Sequence, residues 1–387
     1  MQKNKNTHNI VLAGDLLPSG KNVELFEKGD AEKIFGQDVC HLFSDADFSI
    51  INLEGALTDS AEKQLKVDPI LKAPIATING VKNLGVKAVA LANNHITDFC
   101  DKGYDDTIKT LEKAGIQHVG SGYNENCIKT HFSLQLGNRK VGIYNVSETF
   151  FNSPNEKSAG CNLYDEWVVL NEIIELKKTH DYIIVIYHGG AEEFPYPTPL
   201  VRKRFHRMAD CGADFITAQH THCIGCEEWY KDSYLLYGQG NFLFARMHNP
   251  ITKQGLVTEI SFDDINENSF KVKHHRIHVS DQELLVYDEN QDFSDFIARS
   301  HEIKNCEDLE AKYRQFAFHN PKIKNRNLTA CKGNSFLYKV LAKYFPCYYK
   351  ERLEKYDQHQ LLRMLISHEG ERYREDFSAC LHVMLKD

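Results

Sequence analysis

The sequence lacks a long apolar run, a nucleotide-binding P-loop and the apolar core of a signal peptide. No stretch approaches the roughly 18 consecutive apolar residues that a membrane-spanning helix needs, and the first residues do not resemble a secretory signal. We therefore expect no transmembrane segment and a cytoplasmic location. Because the motif Gly-x-x-x-x-Gly-Lys-Ser/Thr is missing, ATP-driven ligation by the chain alone is not expected.

Positive charge is also in the minority. The 387 residues include 46 Lys and Arg against 54 Asp and Glu, a net charge of −8. A general nucleic-acid binder needs a basic face, so we expect no nucleic-acid partner, although a local basic pocket for an anionic substrate is compatible with this balance. Hydrophobic residues make up 42%, enough for a large core. The 11 cysteines are scattered, and reduced thiols are expected rather than a disulfide scaffold.

Short apolar runs alternate with helical patterns over about the first 260 residues, which predicts a layered α/β fold. Two alternating runs around Gly137-Asn138 predict a β-hairpin. Past about residue 280 helical periodicity replaces this alternation. We predict one domain over 1–280 and a helical C-terminal region over 281–387. Helices within the first domain are predicted over 103–114, 166–178 and 198–211.

Five of the apolar runs end in residues that can bind a metal. They end at Asp15, Glu54, Asn93-Asn94-His95, His188 and His220-Thr221-His222. Because the carboxyl ends of neighbouring strands converge in α/β sheets, residues far apart in sequence can meet there in one cleft. Any one of them alone is more typical of a turn or of a satisfied surface group. Their joint occurrence at five strand ends favours a metal site.

The donor types indicate which metals would bind. Carboxylate, amide oxygen and imidazole suit Mn, Fe or Zn, and a thiolate site is not expected. A carboxylate such as Glu54 can bridge two cations, and two cations about 3.5–4 Å apart can activate water and stabilise the leaving oxygen of a phosphate. The sequence therefore predicts one or two divalent transition metals per chain. The candidate ligands are Asp15, Glu54, Asn94, His188, His220 and His222.

Other residues near these strand ends leave alternatives open. Glu192 could orient a histidine ligand or bind a cation on the substrate, or it could be a solvated loop carboxylate. The amide of Asn241 could hold ligand or backbone, or serve only its Gly-rich turn. The basic run over 202–207 could meet a polyanion but is more typical of a solvated helix face. Cys223 and Cys226 have a C-x-x-C spacing, but a zinc ribbon needs a second such pair.

Together these segments resemble the capsule-synthesis CapA family, also called the poly-γ-glutamate capsule protein family, which is related to the calcineurin-like metallophosphoesterases. The resemblance covers roughly residues 9–262, and its most specific parts are the stretches 91–98 and 238–242. It implies a four-layer α/β/β/α metallophosphoesterase-like sandwich. The helical C-terminal extension has no recognised counterpart. The other matching stretches are Gly14-Asp15, Asn52-Leu53-Glu54, His188-Gly189-Gly190-Ala191-Glu192 and Gly212 to His222.

The resemblance also implies roles for the candidate ligands and for His95. Glu54 resembles the bridging carboxylate. The other ligands of the first metal would be Asn94, His188 and His220, and those of the second metal would be Asp15 and His222. His95 resembles the imidazole that protonates a leaving group or stabilises the transition state, and Glu192 is a further candidate for the catalytic machinery. Asn52 and Asn241 are candidate substrate contacts.

Two positions depart from the family pattern. The related phosphoesterases have a further histidine at the position of Leu17, so the second metal would be weak, absent, or completed by Asn52 or water. The family often has a large aromatic residue at the position of Gly189, and the glycine predicts a more open pocket and a different substrate.

Three functions follow from these observations. The first is a metal-dependent hydrolase of the phosphoesterase type in capsule or surface-polymer biosynthesis, acting on an anionic small molecule or polymer. The second is an amide-bond enzyme or transferase on a poly-γ-glutamate-like or sugar-linked substrate. The third is a non-catalytic partner of other capsule-synthesis proteins, suggested by Leu17 and by the helical extension.

Overall fold

The computed structural model describes residues 7–64, 66, 69–124, 127–148, 158–244, 249–264, 270–304 and 309–320. The chain divides into two compact units, residues 1–309 and 310–387. Within the described residues the strands are β1 (Thr7–Leu17), β2 (Phe48–Leu53), β3 (Ala56–Leu57), β4 (Lys72–Ala73), β5 (Ala88–Ala90), β6 (Gln117–Val119), β7 (Ser121–Tyr123), β8 (His131–Leu136), β9 (Arg139–Ser147), β10 (Ala159–Cys161), β11 (Tyr182–His188), β12 (Phe215–Gln219), β13 (Glu227–Tyr230), β14 (Ser233–Leu236), β15 (Asn241–Phe244), β16 (Gln254–Asp263), β17 (Phe270–Val279) and β18 (Leu285–Tyr287). The helices are α1 (Val23–Lys28), α2 (Ala31–Phe35), α3 (Gln37–Asp45), α4 (Ile78–Leu84), α5 (Cys100–Ala114), α6 (Glu166–Lys177), α7 (Pro199–Asp210), α8 (Ser294–Lys304) and α9 (Leu309–His319), with short 3-10 turns at Gly20–Asn22, Ile75–Thr77 and Pro250–Lys253.

Two large sheets organise the first unit. In one, the described strands run in the order β18-β17-β16-β1-β2-β5-β6, with β15 also paired to β1. In the other, the order is β13-β14-β12-β11-β9-β8. The central strands β1, β2 and β5 are parallel to one another, as are β9, β11 and β12. Parallel strands covered on both faces read as continuous apolar runs, which is why these segments were recognisable.

The side-chain alternation of the central strands builds four layers. In β1, Ile10 and Leu12 face the second sheet, where they join Ile184 and Ile186 of β11 in one buried cluster. The intervening residues point outwards and pack under α1 to α5 on the first sheet and under α6 and α7 on the second. Successive strand residues point to opposite faces, so each central strand contributes to two apolar layers. The predicted α/β/β/α sandwich is confirmed.

Local sequence signals set the helix limits in the second outer layer. The Asp165 side chain accepts hydrogen bonds from the first-turn amides of α6, and Thr198 does the same for α7. Pro199 occupies the first position of α7, where a missing N–H costs no helical hydrogen bond. The apolar stripe of α7 then packs on the second sheet through Val201 and Phe205.

The predicted helices over 103–114, 166–178 and 198–211 correspond to α5, α6 and α7, and the predicted hairpin corresponds to β8 and β9. The described start of the predicted C-terminal region contains the strand β18, paired antiparallel with β17, as well as α8 and α9. Residues 321–387 lie outside the described residues, so the division of the chain at residue 280 stays a prediction. Among the helices that the structure describes, none is long and apolar enough to cross a membrane.

Candidate metal centre

The carboxyl ends of five parallel strands from both sheets meet at one edge of the sandwich. Asp15 lies near the end of β1, Glu54 directly follows β2, and His188 ends β11. The backbone of β1 and the turn before β15 approach so closely that a Cβ on Gly14 would lie 2.0 Å from the carbonyl oxygen of Gly240. This close approach explains the glycine and lets Asp15 and Asn241 face each other in register.

Glu54 is at the centre of the cluster. Its side chain is fully buried, and neither carboxylate oxygen has a hydrogen-bond partner among the described residues. Burial and the neighbouring Asp15 carboxylate raise the pKa of Glu54 well above its usual value. Two ring nitrogens approach its Oε1, Nε2 of His188 at 3.6 Å and Nε2 of His222 at 3.9 Å. A buried carboxylate that histidines surround without direct hydrogen bonds is the geometry in which a cation can bind.

The distances allow a shared cation. Two ligand atoms that each lie about 2.1 Å from one metal ion are at most ~4.2 Å apart. The 3.6 and 3.9 Å separations fall within that limit. One ligand atom each of Glu54, His220 and His222 lie within 4.8 Å of one another. Nδ1 of His220 is also buried without a hydrogen-bond partner among the described residues. The donor set therefore fits a divalent transition metal.

The predicted ligands of the first metal lie together. Nε2 of His188 is 2.9 Å from Oδ1 of Asn94, and the ring centroids of His188 and His220 are 4.9 Å apart. Burial and the nearby His220 lower the pKa of His188 well below its usual value. A neutral imidazole is the form that binds metals. This side of the cluster thus brings together Glu54, Asn94, His188 and His220. That these residues bind one metal stays a prediction.

The predicted ligands of the second metal form the other side. Nδ1 of His222 is 3.4 Å from Oδ2 of Asp15 and 2.8 Å from Oδ1 of Asn241. Although burial lowers the pKa of His222, the carboxylates of Glu54 and Asp15 raise it to about 10. For Asp15, burial opposes ionisation but the hydrogen bond and charges of the surrounding histidines keep its pKa below the usual value. These charges hold the metal-free cluster together.

Backbone strain accompanies the two histidines after β12. His220 has φ = 83° and His222 has φ = 53°, both in the left-handed region that non-glycine residues rarely adopt. The His220 amide donates to Oδ2 of Asp15 at 3.0 Å, which helps to hold this turn. Between them, Thr221 turns away and its hydroxyl donates to the carbonyl of Cys223. Such strain is concentrated at functional sites.

The two candidate substrate asparagines contact the ligands themselves. Nδ2 of Asn52 donates to Oδ1 of Asp15 at 2.7 Å and lies 3.2 Å from Nδ1 of His188. Asn241 accepts from His222 and donates to the carbonyl of Thr252 at 2.7 Å. Both asparagines therefore orient candidate ligands. A contact of either with substrate stays a prediction.

His95 lies at the border of the cluster. Its Nε2 is 3.2 Å from Nδ2 of Asn94, and its Nδ1 is 2.6 Å from Oδ2 of Asp98. Burial lowers the pKa of His95, and the attraction of Asp98 opposes that effect only in part. The imidazole is thus held between a candidate ligand and a buried carboxylate. Its proton-transfer role stays a prediction.

Glu192 is exposed at the rim, and no hydrogen bond of its side chain to the cluster is found among the described residues. Its charge adds to the raised pKa of Glu54. Burial and the nearby His222 lower the pKa of His220, and the charge of Glu192 opposes that effect only in part. Gly189 does not leave an open space: a Cβ there would lie 2.6 Å from Oε2 of Glu148. Glu148 is fixed by the amide of Gly190 at 3.1 Å, so a carboxylate occupies the position that Gly189 was expected to open.

Leu17 and the C-x-x-C pair carry no ligand function in the described structure. Leu17 is fully buried in the apolar layer between the first sheet and its helices. Cys223 and Cys226 are buried free thiols. Burial raises the pKa of Cys223 to about 12, and it also raises that of Cys226. Thiols of this kind are unreactive.

Sequence reasoning missed the polar residues that join the two sheets behind the cluster. Oδ1 of Asn145 accepts from the amides of Leu91 and Ala92 at 3.1 and 2.8 Å, and its Nδ2 donates to the carbonyl of Ile186 at 3.0 Å. Gln239 likewise donates to the carbonyl of Leu12 at 2.7 Å. Asn145 interrupts the apolar run of β9, which is a signal, but its partners belong to other strands.

With the sandwich and its histidine–carboxylate cluster defined, comparisons with known proteins place the chain. The family model described as bacterial capsule synthesis protein PGA_cap matches residues 9–246. Because this match covers more than half of the chain, the protein belongs to that family, and the resemblance noted in the sequence is confirmed.

Named relatives agree with this assignment. The chain is 27% identical over 244 residues to a capsule biosynthesis protein CapA of Bacillus anthracis, covering 61% of this chain and 59% of the relative. It is 29% identical over 237 residues to the PGA biosynthesis protein CapA of Bacillus subtilis, covering 60% and 62%. The chain thus spans about 60% of the length of these relatives. Among solved structures, it is similar to a phosphatase from Mycoplasma pneumoniae, with 17% identity, a TM-score of 0.46, and coverage of 75% of this chain and 99% of that one.

Proposed function

We propose that this member of the capsule synthesis family is a metal-dependent hydrolase of the phosphoesterase type, acting on an anionic precursor or polymer in capsule or surface-polymer biosynthesis. The observation that supports it most is Glu54: a fully buried carboxylate without a hydrogen-bond partner among the described residues, faced by His188 at the end of β11 and by His222 after β12. Burying such a group is costly unless a cation compensates it.

The proposed binding roles follow from the geometry. Glu54 would contact one or two divalent cations, Mn, Fe or Zn. Asn94, His188 and His220 would complete the first site, and Asp15 and His222 the second. Bound cations supply Lewis-acid activation of water and neutralise charge on a phosphoryl group. Asn52 and Asn241 hold ligand side chains in place through the hydrogen bonds described above.

The step that a side chain of the protein would catalyse is protonation of the leaving group. His95 lies beside Asn94 with Nδ1 held by Asp98, which directs Nε2 towards the cluster. A protonated Nε2 would donate to the oxygen that leaves phosphorus, and such general acid catalysis typically contributes about 10²–10⁴-fold in rate. Glu192 at the rim would act on the substrate or on His220 through its charge.

Metal content is the direct test. Elemental analysis of the wild-type protein, after reconstitution with Mn, Fe or Zn, is expected to find one or two metal ions per chain. The double variant His188→Ala/His220→Ala should lose at least one of them, since both histidines lie on the first side of the cluster. Lys63→Met, which changes an exposed residue, is the matched control. No bound metal in the wild type would exclude the proposal.

An amide-bond reaction on a poly-γ-glutamate-like substrate is a second candidate, favoured by membership of the capsule synthesis family. Measuring released phosphate and released amine on the same panel of substrates separates the two reactions. A role as a partner of other capsule-synthesis proteins, and a cytoplasmic location, remain further predictions; if the metal-loaded protein releases neither product, the partner role is favoured.

A further inference from the structure

Three residues between β3 and β4 form hydrogen bonds to the loop that follows β5. All three bond to the same residue, Asp98. The amide of Gln64 donates to the backbone carbonyl of Asp98 at 2.9 Å. The amide of Leu71 donates to Oδ2 of Asp98 at 2.8 Å, and the ammonium of Lys66 donates to its Oδ1 at 2.9 Å. The Asp98 side chain is fully buried. Residues about 30 positions earlier in the chain thus hold in place the carboxylate that contacts His95.

Lys66 contacts more of this loop than Asp98 alone. Its Nζ is also 2.5 Å from the carbonyl oxygen of Asn94 and 3.4 Å from Nδ1 of His95. The Lys66 side chain is only 10% exposed. A buried carboxylate is stable only when a cation and hydrogen bonds compensate it, and Lys66 is the cation in direct contact with Oδ1. Since Oδ1 is taken by Lys66, Oδ2 is left to accept from Nδ1 of His95.

We propose that Lys66 is a positioning residue: through Asp98 it holds the His95 ring with Nδ1–H bonded to the carboxylate and Nε2 facing the candidate metal centre. The proposal rests on the proposed hydrolase function. In that reaction a water oxygen forms the new bond to phosphorus and loses one of its protons to the bulk solvent. The bond from phosphorus to the leaving oxygen breaks with its electron pair on that oxygen, which takes the Nε2 proton of His95. A ring that rotated away from Asp98 could not deliver that proton.

The first arm of the test reads the ring directly and needs no substrate. In full-length protein labelled with ¹⁵N-histidine, NMR of the ring nitrogens should show a protonated Nδ1 on His95 with a hydrogen-bond-shifted proton. The signal is assigned by its loss in His95→Gln. It should persist in Lys66→Arg, which keeps the charge, and in Lys63→Met, which removes an exposed lysine of the same segment. It should be lost or exchange-broadened in Lys66→Met.

The second arm uses leaving groups of different basicity on metal-loaded protein. Phenyl phosphate needs protonation of its leaving oxygen, whereas p-nitrophenyl phosphate needs little. Lys66→Met should lower kcat roughly 10–100-fold for phenyl phosphate, by analogy with residues that orient metal-bound histidines. It should change p-nitrophenyl phosphate hydrolysis by only a small factor. In the His95→Ala background the same substitution should have no further effect. Metal content should stay at the wild-type level.

The outcomes separate the possible explanations. If Lys66→Met keeps the His95 signal, or lowers both hydrolyses equally, the positioning role is wrong. Equal loss in the His95→Ala background would mean that Lys66 acts on substrate or fold rather than through His95. If the wild type hydrolyses neither ester, the phosphoesterase proposal fails, while the NMR arm still decides whether Lys66 holds the ring. Lys66→Arg is the control for misfolding, because it keeps a positive charge beside the buried Asp98 carboxylate.

Discussion

Replacing Glu54 by methionine should stabilise the metal-free protein and remove its stabilisation by metal ions. The wild-type carboxyl group is fully buried, has no hydrogen-bond partner among the described residues and lies near the Asp15 carboxylate, which raises its pKa. Methionine has a similar length and no polar oxygen, and it fills irregular space easily. The substitution therefore removes an unfavourable group in the metal-free state and a ligand in the metal-bound state.

The structure sets the size of both effects. An unsatisfied buried polar group costs about 1–3 kcal/mol. The lost attraction between Glu54 and His222, 3.9 Å apart, reduces the gain, so the lower half of that range is expected. A metal at 100 times its Kd stabilises the wild type by about 2.7 kcal/mol. If Glu54→Met no longer binds the metal, the stability difference between the two proteins shifts by about that amount in favour of the wild type.

Urea unfolding with chelator and with saturating Mn²⁺ or Zn²⁺ measures both effects on one scale. Glu54→Gln is the control, since it keeps the buried polar atoms and should not stabilise the metal-free protein as methionine does. Two results would refute the reasoning: a metal-free Glu54→Met protein less stable than the wild type, or an equal metal-induced gain in both. The first would mean that Glu54 has partners in solution, and the second that the cation binds elsewhere.

Two further predictions concern the carboxylate of Glu228 on β13 and the packing around Gly189. Burial opposes ionisation of Glu228, but hydrogen bonds from His206, Arg202 and Tyr237 lower its pKa from 4.5 to about 2; at 1.36 kcal/mol per pH unit this corresponds to ~3 kcal/mol of stability. Since the pKa is lowered, that stability is present above pH 4.5 and is lost as the pH falls towards 2. In urea titrations the unfolding free energy of Glu228→Gln should therefore be lower than that of the wild type at pH 7, and the two values should converge on acidification. A difference in unfolding free energy that stays constant with pH would exclude the linkage. Gly189→Phe should lower the unfolding free energy by about 1–3 kcal/mol, because the new Cβ would lie only 2.6 Å from the Glu148 carboxylate, which would have to move. Adding Glu148→Ala should recover part of that loss. Strictly additive effects of the two substitutions would show that the two positions do not compete for space.

The sequence was sufficient for the architecture because local rules govern it. The apolar runs of β1, β2, β11 and β12 follow from burial on both faces, and the caps at Asp165 and Thr198 set the starts of α6 and α7. Convergence of parallel strand ends then predicted that the candidate ligands would meet. Their meeting at one sheet edge depends only on topology, which the alternation of strands and helices specifies.

Contacts that depend on the relative placement of loops and sheets could not be predicted from the sequence. Gly189 illustrates this limit: the missing side chain predicted an open pocket, but the side chain of Glu148 fills the space. Nothing in the pattern around position 189 reveals a carboxylate from 41 residues earlier in the chain. Only the parallel pairing of β9 with β11 brings the two together.

What the sequence by itself determined is the set of chemical groups and their order: carboxylate, amide and imidazole side chains at the ends of buried strands, in a chain of the capsule synthesis family. The tertiary structure decided that Nε2 of His188 and of His222 faces Glu54, and that Lys66 and Asp98 contact His95. The physical reason is the separation along the chain of the residues that interact. Strand periodicity and helix capping act over a few residues, whereas the orientation of a buried imidazole depends on hydrogen-bond partners that only the packed fold brings into contact.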